Sequence, residues 1–137
     1  TNILELDVRA EGGAGLEAPD CEQIINEWSL PTELLTAQTS APAKALRIIT
    51  VIGNSMEPDF RPGERVLVDT DDRSPSPAGA FALWDGFGLV IKYVEVIPGS
   101  DPVMVRLISR NSVFETYERP AEDIHINGRI IGKWLWT

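Results

Sequence analysis

The chain has 137 residues, 43% of them hydrophobic and 24% charged, the balance of one globular domain or of a domain with a tail. Twenty-one acidic residues against twelve Lys and Arg give a net charge of −9, which argues against a nucleic-acid-binding surface on this chain, because phosphate contacts need concentrated positive charge. A single cysteine, Cys21, excludes an intrachain disulfide, and with a single histidine, His125, it excludes a four-ligand structural zinc site. No metal and no cofactor are therefore expected. No apolar run approaches the roughly 20 residues of a membrane span. Glu5, Asp7 and Arg9 interrupt the first apolar residues, which argues against a signal peptide. The chain does not begin with Met, and the expectation is a cytoplasmic fragment of a longer protein with no membrane partner.

In chain order, residues 3–8 read as a short strand. Residues 10–15, Ala-Glu-Gly-Gly-Ala-Gly, are small and glycine-rich, so an exposed, mobile segment is expected there. Residues 16–29 show no firm pattern. Pro31 followed by Thr-Glu-Leu-Leu suits a short helix with Pro at its first position. Residues 39–44 read as a loop. From residue 46 the text turns to β. Residues 46–52 are rich in β-branched side chains, residues 53–58 break the run, and residues 65–69 resume it. Residues 71–79 read as a loop. Residues 81–84 and 88–97 flank a hairpin signal at Asp85-Gly86. Residues 103–109, a stretch around Phe114, residues 124–126 and residues 129–136 supply further strands. The expected fold is all-β with at most short helices, a compact and strongly bent sheet or partial barrel. The expected division is residues 1–45 as strand, cleavable segment and linker, and residues 46–137 as the β-rich domain.

Alternation along residues 88–97 puts Leu89, Ile91, Tyr93 and Glu95 on one face and Val90, Lys92, Val94 and Val96 on the other. Lys92 is then the only charge on a valine face. Burial disfavours an ammonium, and a desolvated lysine can act as a general base. The alternative is an ammonium that snorkels to water at the sheet edge. Ser55 lies in Gly53-Asn54-Ser55-Met56-Glu57-Pro58, a tight turn after a strand. Gly53 permits an unusual backbone there, and backbone N–H groups of such a turn can form an oxyanion hole. The same residues also have capping-box spacing, Asn54 to Glu57, so a helix cap is the competing reading. A Ser-His-Asp arrangement would need His125, which the strand pattern puts at the surface; a Ser-Lys pair fits better. Cys21 reads as a small, partly buried residue. Alternation in the last strand puts Ile130, Gly132, Trp134 and Trp136 on one face, either core or interface.

Five segments occur in order: Val-Ile-Gly-Asn-Ser-Met-Glu-Pro at 51–58, Gly-Glu-Arg-Val-Leu-Val-Asp at 63–69, Val-Ile-Lys at 90–92, Ser-Arg-Asn at 109–111 and Asn-Gly-Arg-Ile-Ile-Gly at 127–132. Together they resemble the carboxy-terminal domain of the LexA-like and lambda-CI-like repressors, a family shared with the UmuD polymerase-accessory proteins. The resemblance covers about residues 46–132. It implies a bent β domain that forms a homodimer and carries a Ser-Lys dyad, with Ser55 as nucleophile, Lys92 as base and the backbone N–H groups of Asn54 and Ser55 as the oxyanion hole. It also implies self-cleavage in an amino-terminal segment, stimulated on DNA damage by a recombinase filament on single-stranded DNA. Any contact with DNA would pass through a helix-turn-helix domain outside this chain. The family cuts Ala-Gly or Cys-Gly bonds, which points to Ala14-Gly15. Aligning Asp7-Val8-Arg9-Ala10 to the phage-type pattern points instead to Gly12-Gly13. Asn54 stands where the family usually has Asp. The expected function is the regulatory domain of a phage-type repressor; the alternatives are a UmuD-like accessory protein or a dimerisation module that no longer cleaves.

Overall fold

The computed structural model describes residues 1–8, 16 and 23–134. Among them the chain forms β1 (Asn2–Leu6), β2 (Ile24–Ser29), α1 (Thr32–Gln38), β3 (Leu46–Thr50), β4 (Arg65–Asp69), β5 (Gly79–Trp84), β6 (Leu89–Val96), β7 (Met104–Ile108), β8 (Tyr117–Pro120) and β9 (His125–Lys133), with short 3-10 turns at Ala43–Ala45 and Ala121–Asp123. The nine strands make one sheet in the order β2-β1-β3-β4-β9-β5-β6-β7-β8. Every pairing is antiparallel except β1 with β3, so the all-β expectation holds with a mixed sheet.

Period-two alternation sorts the side chains into three apolar clusters. Ile49 of β3, Val66 and Val68 of β4, Ala82 of β5 and Ile91 of β6 meet Leu6, Leu16, Val51, Met56 and Leu89 in the first. Ile48 of β3 and Leu67 of β4 turn the other way and join Ile3, Leu35 and Leu46 in the second, where Trp28 and Trp134 also pack. Phe81 and Leu83 of β5 join Val94, Val105 and Ile126 in the third, with Val90 and Val96 against them. The valine face of β6 is thus a core face, and Lys92 pairs in register with the buried Phe81.

Several local expectations are corrected. β2 has no counterpart in the sequence pattern, because it is a mostly exposed edge strand whose Asn26 and Glu27 break the apolar alternation. Pro31 is the cap residue before α1, one place ahead of its first residue. The stretch around Phe114 is a turn, and the strand there starts at Tyr117. The two strands expected over 124–126 and 129–136 fall, among the described residues, in the single strand β9, His125–Lys133. Asn127-Gly128 reads as a break but serves a bulge: the register with β5 slips between Ala82 and Leu83, and that with β4 slips between Leu67 and Val68. Each slip adds a residue to β9 and bends it, the means by which a long strand crosses a strongly curved sheet. The second slip also overturns the expected common face of Ile130 and Trp134, which pack in the first and second clusters respectively.

Gly128 fixes the crossing. A Cβ built there would lie 2.6 Å from the Asp69 carbonyl oxygen and 2.6 Å from Val68 Cγ1. The carbonyl is backbone of β4 and cannot give way cheaply. Gly128→Val is expected to lower unfolding stability by about 1–3 kcal/mol or more in urea denaturation. Gly132→Ala is the control, since a Cβ there meets nothing within 4 Å, and it should stay within about 1 kcal/mol of wild type.

Candidate functional site

Ser55 sits in the turn that follows β3. Val51 continues the strand and exchanges backbone hydrogen bonds with the 63–64 segment: its N–H donates to Glu64 and its carbonyl accepts from Gly63. Gly53, with φ of +77°, then turns the chain in a way a side chain would resist. Met56, nearly fully buried in the first cluster, pegs the turn to the core, and Ser55 beside it is half-buried. The backbone N–H groups of Asn54 and Ser55 donate to no acceptor among the described residues, so both remain available to a ligand oxygen. The capping-box reading fails, because the residues after Ser55 form turns and no helix begins there.

Lys92 lies on β6 and is half-buried. Its Nζ donates to Ser109 Oγ at 2.7 Å and sits 5.8 Å from the centre of the Phe114 ring. Burial pulls the amine below the ordinary lysine value, and the Asp85 carboxylate opposes that only in part. Lys92 also lines a cleft of about 510 Å³ whose walls include Leu83, Val90, Leu107, Ile124 and Tyr117. Asp85, Arg119, Asp123 and His125 line it as well, so the cleft is mixed in character.

The two side chains lie beside different clusters, Ser55 next to Met56 of the first and Lys92 between Val90 and Val94 of the third, and residues 109–111 join them. Ser109 holds the Lys92 amine. The Arg110 N–H points at Met56 Sδ at 3.4 Å, and the Arg110 guanidinium pairs with Asp59 at 3.5 Å. The Asn111 N–H donates to the Ser55 carbonyl at 2.9 Å, and its side-chain amide donates to the Asn54 carbonyl at 3.1 Å. Asp59 in turn accepts the Tyr93 hydroxyl at 2.5 Å; burial and that carboxylate push the phenol up to about 12. Tyr93 is the residue after Lys92, so β6 and the Ser55 turn are tied on both sides. No hydrogen bond joins Ser55 Oγ to Lys92 Nζ among the described residues. The amine donates to Ser109 instead.

Ser109, Asp59 and Asn111 have roles that the sequence reading does not assign. Ser-Arg-Asn is visible there only as one member of an ordered set of segments. A polar triplet at the end of a strand is the available signal, and it does not say what the triplet touches. His125 is exposed, as expected. The cleavage candidates Ala14, Gly15, Gly12 and Gly13 lie outside the described residues, as do Cys21 and Trp136. Leu16, one position after Ala14-Gly15, is buried in the first cluster with Met56.

The sheet thus carries Ser55 on the tight turn after β3 and the desolvated Lys92 on β6. The family described as Peptidase S24-like matches residues 8–131, and the chain belongs to this family of Ser-Lys peptidases, which takes in the LexA, UmuD and CI proteins. No curated protein matches the chain. No helix among the described residues is long and apolar enough to cross a membrane.

The Lys92 environment has a direct readout. In a lysine-labelled sample followed by NMR, with the signal assigned through Lys92→Arg, the Lys92 amine is expected to titrate below the ordinary lysine value of about 10.4. Asp85→Asn removes the charge that favours the ammonium and keeps an oxygen for the N–H groups of Phe87 and Gly88, so the midpoint should fall further. An unchanged or higher midpoint in Asp85→Asn would contradict this account of the site.

Proposed function

We propose that the chain is the regulatory domain of a phage-type repressor, which dimerises and inactivates the repressor by cutting its own amino-terminal segment. The observation that carries the reading is the Lys92 amine, desolvated on a core face and coupled through residues 109–111 to the Ser55 turn. In the reaction Lys92, as the neutral amine, takes the Ser55 hydroxyl proton. Ser55 Oγ attacks a carbonyl of the same chain, and the Asn54 and Ser55 N–H groups receive the oxyanion. The Lys92 ammonium returns the proton to the leaving amine, and water releases the acyl group from Ser55. Presentation within one chain supplies the proximity that a weakly organised dyad lacks. The buried Leu16 favours Ala14-Gly15 over Gly12-Gly13 as the bond presented, because it anchors the residue next to that bond in the cluster that seats Met56.

In this reading the homodimer is the working form, a recombinase filament on single-stranded DNA stimulates the cut, and DNA is contacted through a helix-turn-helix domain outside this chain. The net charge of −9 supports a half of the protein that stays off DNA. The non-cleaving dimerisation module is the second reading, favoured by the hydrogen bond that engages Lys92 with Ser109 in place of Ser55.

Incubation at rising pH separates the two. Cleavage should yield two fragments that end at Ala14 and begin at Gly15, identified by mass. Its rate should climb with pH as the ammonium is lost and level off below the ordinary lysine midpoint, since the neutral amine is the active form. Ser55→Ala and Lys92→Ala should each reduce it by about a thousandfold or more. A chain that stays whole at alkaline pH and with recombinase filament present would establish the non-cleaving reading.

A further inference from the structure

β1 is held on both edges and on both faces. It lies between β2 and β3, paired antiparallel with the first from Asn2↔Ser29 to Leu6↔Ile24 and parallel with the second at Leu4↔Arg47 and Glu5↔Ile48. Both of its faces are covered. Ile3 is fully buried in the second cluster, Leu6 is buried in the first, and Leu4 packs against that first cluster. Glu5 is 0% exposed, which for a carboxylate demands several partners. It has them: Trp28 Nε1 donates at 2.7 Å and Asn26 Nδ2 at 3.1 Å, both from β2, and Arg65 Nε of β4 donates at 3.1 and 3.2 Å. The Arg65 guanidinium also stacks 5.4 Å from the centre of a Trp28 ring. Burial pushes the Glu5 carboxyl up, but these donors and the Arg65 charge more than offset it, so it lies below its ordinary value and stays ionised.

The groups that read Glu5 all come from residues 26–65, on the far side of residues 9–22 from β1. Among the described residues, the strand pairing and the Glu5 site use no residue of the segment between β1 and β2, and Leu16, which joins the first cluster, lies on the β2 side of either candidate bond. We propose that the slot between β2 and β3 is a binding site for an extended peptide with a glutamate set among apolar residues, filled by the chain's own β1, and that it retains β1 after the segment between β1 and β2 is cut. Retention after a natural cut rests on the self-cleavage reading; the slot does not. Cleavage would then produce a nicked protein whose amino-terminal part leaves only when β1 is drawn out of the sheet, and a vacated slot would accept the same strand from a peptide in trans.

The test is made in the Ser55→Ala chain, with a site-specific protease sequence placed between Gly12 and Gly13. After complete nicking, both fragments should leave a gel-filtration column together at the mass of the uncut chain. A fluorescent peptide of residues 1–8 should then exchange into the nicked protein, seen as a rise in anisotropy, and the unlabelled peptide should displace it. The same peptide carrying Glu5→Lys should compete about tenfold more weakly or worse, because it loses the bonds to a charged acceptor and puts a cation beside Arg65. Changing the peptide leaves the protein's fold untouched. Separation of the fragments on the column, or equal competition by the two peptides, would overturn the proposal. Because nicking uses an external protease, either result stands apart from whether the wild-type chain cuts itself.

Discussion

A lysine amine cannot be left alone on a core face. The whole arrangement of the site follows from that constraint. β6 needs Val90, Val94 and Val96 for the third cluster, and alternation then commits Lys92 to the same side. Desolvation makes the ammonium costly, and the structure answers with one hydroxyl, Ser109, and one aromatic face, Phe114, but, among the described residues, no carboxylate within hydrogen-bonding distance of the amine. That is a weak satisfaction. A close carboxylate would have held the proton and removed the amine from use as a base. The distant Asp85 tempers the effect without cancelling it.

The same strand end that supplies Ser109 also supplies the ties to the serine turn. Three consecutive residues make contacts in two different packing environments, so the position of the turn relative to the base is set by a few backbone bonds more than by shared side-chain packing. Such a coupling is stiff along the clamp and adjustable around Ser55, whose hydroxyl makes no bond to the amine.

The amino-terminal strand belongs to the same scheme. Leu6 of β1 and Leu16 enter the cluster that seats Met56, so the parts of the chain on either side of the glycine-rich segment both brace the serine turn. Glu5 anchors that brace through a carboxylate that four strands enclose: its own, and the donors and neighbours of β2, β3 and β4. A charge buried this way adds little net stability compared with a well-packed apolar residue, but it is unforgiving of any other register.

Composition and period determined much of this protein. The all-β class, the β3 to β7 strands to within a few residues, and the commitment of Lys92 to an apolar face were legible because alternation of side chains is a local property and the core rewards it. Ser55 in its turn was legible because Gly53 and the strand before it are adjacent in sequence. The tertiary structure decided the rest. β2 carries no pattern of its own and is a strand only because β1 offers it an edge. Asn127-Gly128 looks like a stop, yet it is the point where β9 bends past Asp69, a requirement set by a residue far away in the chain. Ile130 and Trp134 were separated by a bulge that no local rule announces. Ser109 and Asn111 were readable as letters, but their work is to hold residues 17 and 57 positions distant, and only the folded sheet brings those together.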